Sequence, residues 1–301
     1  VMISELDGLS LASGAETIDK YISQQNCTAL LVGVQCLEAG ATIPTAANIH
    51  TKLGTIEIVA SNLDGGGSQV SIDADDIPPL MEKLYGKAQP GVMGTQTDNN
   101  YIHFQYFLPL SPDIYSPKFG YRDARIKILT SGTQTNSDTY KVYVAALLHK
   151  QSPSHYIQML NNSFTATASV NKDFDLPEGG KLLAAYAMGT TSLQDLTSSD
   201  APSLNEFAVV VDNTERERVN ARSLLGLYPT GTYMVAGTTV TSTAAVGGSE
   251  YVFWDLGWHS SQRGIGAEGI NIGKNWKLRI KPQAADAIRV YPMIAMNARF
   301  R

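Results

Sequence analysis

The sequence predicts an all-β protein made of two tandem domains, each a β-sandwich or barrel that contains one short helix. Three segments alternate apolar and polar residues, a pattern typical of half-buried strands. Each segment returns in the same order about 150 residues later. The segments and their later copies are 101–108 with 251–258, 124–128 with 276–280, and 142–148 with 290–296.

The spacing of these copies indicates a duplicated domain. The offsets are 150, 152 and 148 residues, so they differ only by the length of a loop. Tyr143 and Tyr291 correspond at the last offset. Any β-rich chain resembles itself under a two-residue period, and that alternative stays open. Three matches in the same order favour duplication.

Length and cysteine content agree with two self-sufficient domains. The chain has 301 residues, and domains of about 150 residues bury roughly 70% of their unfolded surface without cross-links. Cys27 and Cys36 lie nine residues apart in or beside an apolar run. We therefore expect two small buried residues rather than a disulfide or a metal site.

The charge argues against a protein whose main function is to bind nucleic acid. The net charge is -5, and residues 1–26 carry four acidic residues against Lys20 alone. Such a segment cannot neutralise phosphates. No apolar run is long enough to span a bilayer, and the start lacks the pattern of a secretory signal. We expect a soluble protein.

The first half begins with a segment that is expected to be peripheral. Residues 1–26 are expected to form an N-terminal arm with a short helix at 15–25, because Ile18, Tyr21 and Ile22 would share one helix side. A second helix is predicted at 75–86 from its Asp cap, the prolines of its first turn and Gly86. The strands predicted before that helix are 29–34, 55–60 and 69–72.

The second half starts near 151–155, where Pro153 marks a boundary. The Thr-Glu-Arg-Glu sequence at 214–217 predicts a capping box for a helix ending at Tyr228, which matches the Leu-Tyr end of the first helix. Loops rich in Thr, Ser and Gly, at 189–203 and 230–249, are expected to lie against another surface. The predicted strands are 156–160, 164–170, 181–188 (in the place of 55–60) and 209–211.

These elements divide the chain into an arm at 1–26, a first domain at 27–150 and a second at 151–301. Each domain has about seven short strands, with one helix midway and long connections. Many short strands with Gly and Pro turns indicate a sandwich or barrel. An eight-stranded jelly roll fits each half if one weak strand is allowed.

No pattern of catalytic or metal-binding residues emerges. A double cupin needs paired histidines one residue apart, but His103 is followed at that spacing by Gln105, and its repeat-mate is Phe253. Motifs for a serine nucleophile, a zinc protease or a phosphate loop do not occur. We therefore expect no enzyme, no cofactor and no catalytic, cofactor-binding or metal-binding residues.

An acidic cluster leaves structural calcium as a possibility. Asp73, Asp75 and Asp76 offer the oxygen ligands that calcium prefers. Asp75 and Asp76 are already explained as residues favoured at a helix start, so the helix start is the preferred interpretation of this cluster.

Aromatic residues leave a carbohydrate-binding or carbohydrate-active protein of two β-sandwiches as the alternative function. Tyr251, Trp254 and Trp258 could stack on sugars, although Trp254 and Trp258 share the face that predicts core. Hydrolysis would need paired carboxylates, whereas Asp255 has Gln105 as its repeat-mate. A phage spike or fibre domain is a third possibility, and it predicts trimers without lattice assembly.

The tandem modules and their helices at 75–86 and 214–228 resemble a known family. Residues 27–301 are similar to the double jelly-roll major capsid proteins of icosahedral viruses with an internal membrane, the lineage of tectiviruses, corticoviruses and adenoviruses. The small size is similar to corticovirus-like members and to the lipid-containing phage of Flavobacterium. The resemblance rests on architecture and on no short motif.

The resemblance implies a structural function in the virion. Three chains would form a homotrimer whose six jelly rolls make a pseudo-hexameric capsomer, and capsomers would tile an icosahedral shell over a membrane. The implied partners are neighbouring capsomers, minor capsid or penton proteins and virion membrane proteins, without direct nucleic-acid binding. Assembly would occur in the host cytoplasm. The long loops would cap the shell or lock trimers, and the arm would reach a neighbour or the membrane.

Overall fold

The computed structural model describes twelve parts of the chain, within which it forms 20 strands and four α-helices. In these parts no helix has both the length and the apolar character needed to cross a membrane. The described residues are 1–11, 14–38, 46–60, 63, 67–85, 101–131, 137–190, 194–195, 203–224, 248–249, 251–261 and 268–298.

The first half contains eight strands, two helices and a 3-10 turn. The strands form two four-stranded sheets, which we call sheet 1A (order β1-β8-β3-β6) and sheet 1B (order β2-β7-β4-β5). The elements are β1 Met2–Ser10, β2 Thr17–Ser23, β3 Asn26–Glu38, α1 Ala46–Leu53, β4 Thr55–Ala60, β5 Ser68–Asp73, the turn Ala74–Asp76, α2 Ile77–Tyr85, β6 Tyr101–Pro109, β7 Ala124–Leu129 and β8 Ser137–His149.

The second half also contains two four-stranded sheets, sheet 2A (order β9-β20-β12-β17) and sheet 2B (order β11-β19-β14-β15). Sheets 1B and 2A meet edge to edge where β5 and β9 run parallel. The elements are β9 His155–Met159, β10 Asn162–Ala166, β11 Lys172–Asp175, β12 Lys181–Met188, β13 Gln194–Asp195, β14 Leu204–Val211, β15 Thr214–Asn220, α3 Ala221–Leu224, β16 Gly248–Ser249, β17 Tyr251–Asp255, α4 Trp258–Ser261, β18 Ile270–Asn271, β19 Trp276–Pro282 and β20 Asp286–Asn297.

The strand order confirms the duplication. The eight main strands of the first half are β1 to β8, and those of the second half are β9, β11, β12, β14, β15, β17, β19 and β20. When each set is numbered one to eight, both halves have sheets in the order 1-8-3-6 and 2-7-4-5. This is two eight-stranded jelly rolls in tandem, as the sequence predicted.

The alternating residues point inward as predicted. Phe104, Tyr106 and Leu108 of β6 are buried, and so are Trp254 and Trp258 in the second half. Cys27 and Cys36 are buried and unpaired, which confirms their interpretation as small core residues. Burial raises the pKa of both thiols to about 12.

The helix predicted at 15–25 is wrong, because residues 17–23 form strand β2, which pairs with β7. Ile18 and Ile22 are four residues apart, so they share one side of a strand as well as of a helix. Tyr21 points to the other side, where it donates a hydrogen bond to Asp123. Strand β1 pairs with β8. Most of the segment expected to be an arm is therefore paired within the first half.

Two further expectations are corrected in the second half. Residues 214–217 are no capping box but the start of strand β15, and α3 begins only at Ala221. The counterpart of β4 is β14 rather than 181–188, because 181–188 is the third strand, β12, as its place in sheet 2A shows.

Two predicted strands end earlier than expected, one helix was not predicted, and some predicted segments lie outside the described residues. Strand β10 ends at Ala166 and β17 at Asp255, and helix α1 was not predicted at all. Gly86, residues 225–228 and most of the two long loops lie outside the described residues.

Candidate functional site

The two halves meet over one face of sheet 2A. The inner face of this sheet forms the core of the second half, which includes Val252 and Trp254. On the outer face, Tyr186, Phe253 and Tyr291 belong instead to the hydrophobic cluster of the first half. Strand β12 is consequently buried on both faces from Leu182 to Met188. The apolar contact thus continues from one domain into the other.

Asp76 lies at the centre of this junction. Its carboxylate is fully buried, and Arg289 of β20 donates two hydrogen bonds to it, at 2.7 and 2.6 Å. The hydroxyl of Tyr291 donates a third, at 2.5 Å. Burial raises the pKa of Asp76 to about 6, while the bonds from Arg289 and Tyr291 oppose that rise. The same pair raises the pKa of Arg289, so the ion pair ties the first half to the second.

The predicted acidic cluster surrounds the same arginine. Asp73, Asp75 and Asp76 present oxygens within 4.8 Å of one another, the one such group of three metal-binding side chains among the described residues. The guanidinium of Arg289 lies 3.2 Å from Asp75 and 3.5 Å from Asp73. We therefore propose that Arg289, rather than calcium, supplies the positive charge that this cluster needs.

Calcium is expected to leave the thermal unfolding temperature unchanged. The reason is that the carboxylate oxygens already bind Arg289 and Tyr291, so a hard cation would have to displace them. The measurement is a thermal melt in millimolar calcium and in a chelator. A rise of several degrees with calcium that the chelator reverses would instead establish a metal site.

A second tie joins the halves through His259. Its Nδ1 lies 2.6 Å from Asp255, and its Nε2 lies 3.1 Å from the carbonyl oxygen of Leu84, in the last turn of α2. Both neighbours are hydrogen-bond acceptors, so both ring nitrogens must donate, which requires the charged imidazolium. The hydrogen bond to Asp255 accordingly raises the pKa of His259.

The stability contributed by His259 is expected to fall as pH rises. Because its folded pKa lies above the unfolded value of about 6.5, the contribution is complete below that pH and is lost through the folded pKa. Thermal melts between about pH 6 and about pH 8 should show a smaller decrease for His259→Gln than for the parent protein. His103→Gln serves as the control, since His103 is exposed. Equal slopes for the parent and His259→Gln would contradict the assignment.

The residues considered for sugar or metal binding lie in the core, accept hydrogen bonds or face outward from a strand. Trp254 and Trp258 are buried, so they offer no sugar platform. Asp255 accepts hydrogen bonds from His259 and from the backbone N–H groups of Gly257 and Trp258. His103 lies on the outer face of sheet 1A, as the polar residue that the strand pattern predicted.

That outer face of sheet 1A carries a shallow groove of about 370 Å³. Gly33 lies at its centre, next to Gln105 on one neighbouring strand and Tyr143 on the other. Tyr143 donates a hydrogen bond to Gln35. The row Gln105, Gly33 and Tyr143 is only half-buried in the single chain, whereas Phe253, Tyr186 and Tyr291 on the corresponding face of sheet 2A are buried.

Comparison with solved structures identifies the fold. The chain is similar to the major capsid protein of Sulfolobus Turreted Icosahedral Virus (TM-score 0.65, 10% identity, 98% of this chain and 96% of that chain). It is also similar to the major capsid proteins of bacteriophage PM2 (TM-score 0.60, 9% identity, 100% and 98%) and Faustovirus (TM-score 0.52, 9% identity, 99% and 91%). No family model and no curated sequence matches. The likeness shows the double jelly-roll fold over nearly the full length.

Proposed function

We propose that this chain is the major capsid protein of an icosahedral virus and has no enzymatic activity. The observation that supports this most is the end-to-end likeness to viral major capsid proteins, which covers at least 98% of the chain and 91% of each of the three proteins compared. The fold alone does not specify function. Here, however, Trp254 and Trp258 belong to the core, and the carboxylates of the acidic cluster bind Arg289 at the junction between the halves.

Three copies of the chain assemble into one capsomer in this proposal. Both jelly rolls have the same strand order, so three chains supply six similar modules around one axis. Such a ring has a nearly hexagonal outline and can tile a closed shell. Buried contacts and ion pairs between the halves hold each pair of modules together.

The proposed surroundings are a virion with an internal membrane beneath the shell. The net charge of -5 and the acidic residues at 1–26 suit a shell protein that does not bind the genome directly. Its partners are neighbouring capsomers, minor capsid or penton proteins and virion membrane proteins. Assembly takes place in the host cytoplasm.

Light scattering of the purified protein tests the trimer. The proposal predicts a particle of three times the chain mass of 32.5 kDa. A stable monomer at every protein concentration would contradict it. A trimer that never forms sheets or shells, at any salt or calcium concentration, would favour a spike or fibre domain instead.

A further inference from the structure

We propose that the second jelly roll binds one monosaccharide unit in a pocket between its two sheets. The pocket has a volume of about 300 Å³ and lies where strands β9 and β10 approach the end of β11. This site adds a small ligand to the proposed structural function and does not depend on it. The buried tryptophans take no part in it.

The pocket lies at one edge of the second sandwich. Strands β9 and β10 follow each other along β20, with β9 beside residues 293–297 and β10 beside residues 286–290. Pro292 lies at the break between them, and a proline has no N–H to donate to a neighbouring strand. In the first half, β1 occupies the equivalent place beside β8.

Two apolar residues of that edge in the first half are amides in the second. Ile3 of β1 corresponds to Gln158 of β9, because their partners on β8 and β20 are 148 residues apart. By the same offset, Leu9 corresponds to Asn162 of β10. Leu9 packs against the first core, so this position faces the space between the sheets. Amides are costly to bury without hydrogen bonds, and at this edge the second sandwich stays open.

The inner surface of the pocket is apolar. Leu160, Pro292 and Ile294 line it on the side of sheet 2A, and Leu176 and Pro177 line it beyond the end of β11. Pro292, Ile294 and Leu176 are buried, while the other two are half-buried. These aliphatic side chains and proline rings suit contact with the C–H groups of a small ring.

Two amide side chains flank this apolar surface. The Nδ2 of Asn162 donates hydrogen bonds to the carbonyl oxygens of Leu160 and Val290, at 2.9 and 3.4 Å, so its Oδ1 is left to accept one. The amide of Gln158 has no hydrogen-bond partner within the described part of the chain. Both side chains are half-buried and can bind a ligand in the pocket.

A carboxylate completes the polar lining. Asp175 lies at the pocket mouth with 88% of its side chain exposed, and Lys277 lies 3.6 Å from one of its oxygens. The pocket therefore offers acceptors on Asn162, Gln158 and Asp175, and two N–H donors on Gln158. A hydroxyl group both donates and accepts, so a ligand with several hydroxyls satisfies this set.

Other small ligands fit the lining less well. An alkylammonium ion only donates hydrogen bonds, so it leaves the N–H groups of Gln158 unpaired. An acyl chain leaves all the polar side chains of the pocket unpaired, which is costly. A sugar ring carries hydroxyls at its edge and C–H groups on its faces, so it matches both parts. The volume, at the small end of the usual range for ligand sites, suits a single sugar unit.

Saturation-transfer NMR of the purified protein tests binding, in whatever oligomer the protein forms. The probes are the methyl glycosides of glucose, galactose, mannose and N-acetylglucosamine at millimolar concentration. We expect saturation to reach the ring protons of at least one of them. No transfer to any probe would overturn the proposal.

Variants that copy the first half test the site. Asn162→Leu and Gln158→Ile place in the pocket the apolar residues that the equivalent positions of β1 carry. We expect the dissociation constant of the bound glycoside to rise by about tenfold or more in each, because hydrogen bonds to the ligand are lost. Ser163→Ala, at an exposed neighbour on β10, is the matched control and should leave binding unchanged.

A third variant tests the site without changing the core. Asp175 is largely exposed, so Asp175→Asn should keep the fold and weaken binding in the same direction. Binding that all three variants retain at the strength of the control would overturn the assigned pocket.

The outcomes separate the two proposals. A trimer that binds no glycoside would overturn the pocket while the proposed function stands. A monomer that binds a glycoside, and loses it in the variants, would support the pocket and contradict the capsomer.

Discussion

Arg289→Ala is expected to lower the free energy of unfolding by about 3–5 kcal/mol, the usual cost of leaving one partner of a buried ion pair without its counter-charge. The carboxylate of Asp76 has no exposed surface and receives both of the strongest hydrogen bonds of Arg289. Removing the guanidinium also leaves the neighbouring carboxylates of Asp73, Asp75 and Asp76 without a cation. Chemical denaturation followed by circular dichroism measures the change.

The control for this variant is an exposed ion pair. Arg125 and Asp19 lie 2.8 Å apart, with 50% and 32% of their side chains exposed, so Arg125→Ala should cost less than about 1 kcal/mol. A double variant, Asp76→Leu/Arg289→Met, should recover part of the loss, because the fully buried carboxylate of Asp76 no longer remains without a counter-charge. Equal effects of Arg289→Ala and Arg125→Ala would show that the ion pair does not hold the halves together.

Trp258→Ala is expected to destabilise the protein by about 3–5 kcal/mol, the range for removing a large aromatic side chain from a core. Trp258 is fully buried in the cluster that joins the first core to the second half. Its backbone N–H donates a hydrogen bond of 2.8 Å to the carboxylate of Asp255. Because this bond fixes the backbone at residue 258, the surrounding chain cannot easily collapse into the cavity. Urea denaturation of both proteins provides the measurement.

Two further variants give this prediction its controls. Trp258→Phe should lose less, because it keeps most of the apolar volume and removes an indole N–H that has no hydrogen-bond partner within the described residues. Tyr115→Ala, at a side chain that is 77% exposed, should change stability by no more than about 0.5 kcal/mol. A similar small change for Trp258→Ala would place that residue outside the core.

The strand pattern predicted the core because burial of one sheet face imposes a two-residue period. Residues such as Tyr106 and Ile126 could therefore be assigned inward from the sequence alone, and both are buried. Helix α2 was also predictable, since its prolines and acidic start are local signals. Both features depend on neighbours along the chain.

The incorrect predictions concern short sequence patterns that fit a helix as well as a strand. In β15, Thr-Glu-Arg-Glu resembles a capping box, but Glu215 instead pairs across strands with Lys281. In β2, the spacing of Ile18 and Ile22 fits a helix and a strand equally. Only pairing with β7 decides between them.

The junction between the halves could not be predicted. Asp76 and Arg289 are separated by 213 positions, and nothing local in either segment indicates the other. Asp75 and Asp76 were correctly seen as residues at a helix start, while the partner that binds both was missed. The duplication was the available signal, because it aligned Tyr143 with Tyr291 before either had a known environment.

Electron microscopy of the purified protein tests the central proposal, assembly of this chain into capsomers, most directly. Two-dimensional averages should show a six-lobed, nearly hexagonal particle with threefold symmetry, alone or packed into sheets and shells. Particles that remain two-lobed single chains at every protein, salt and calcium concentration would contradict the account.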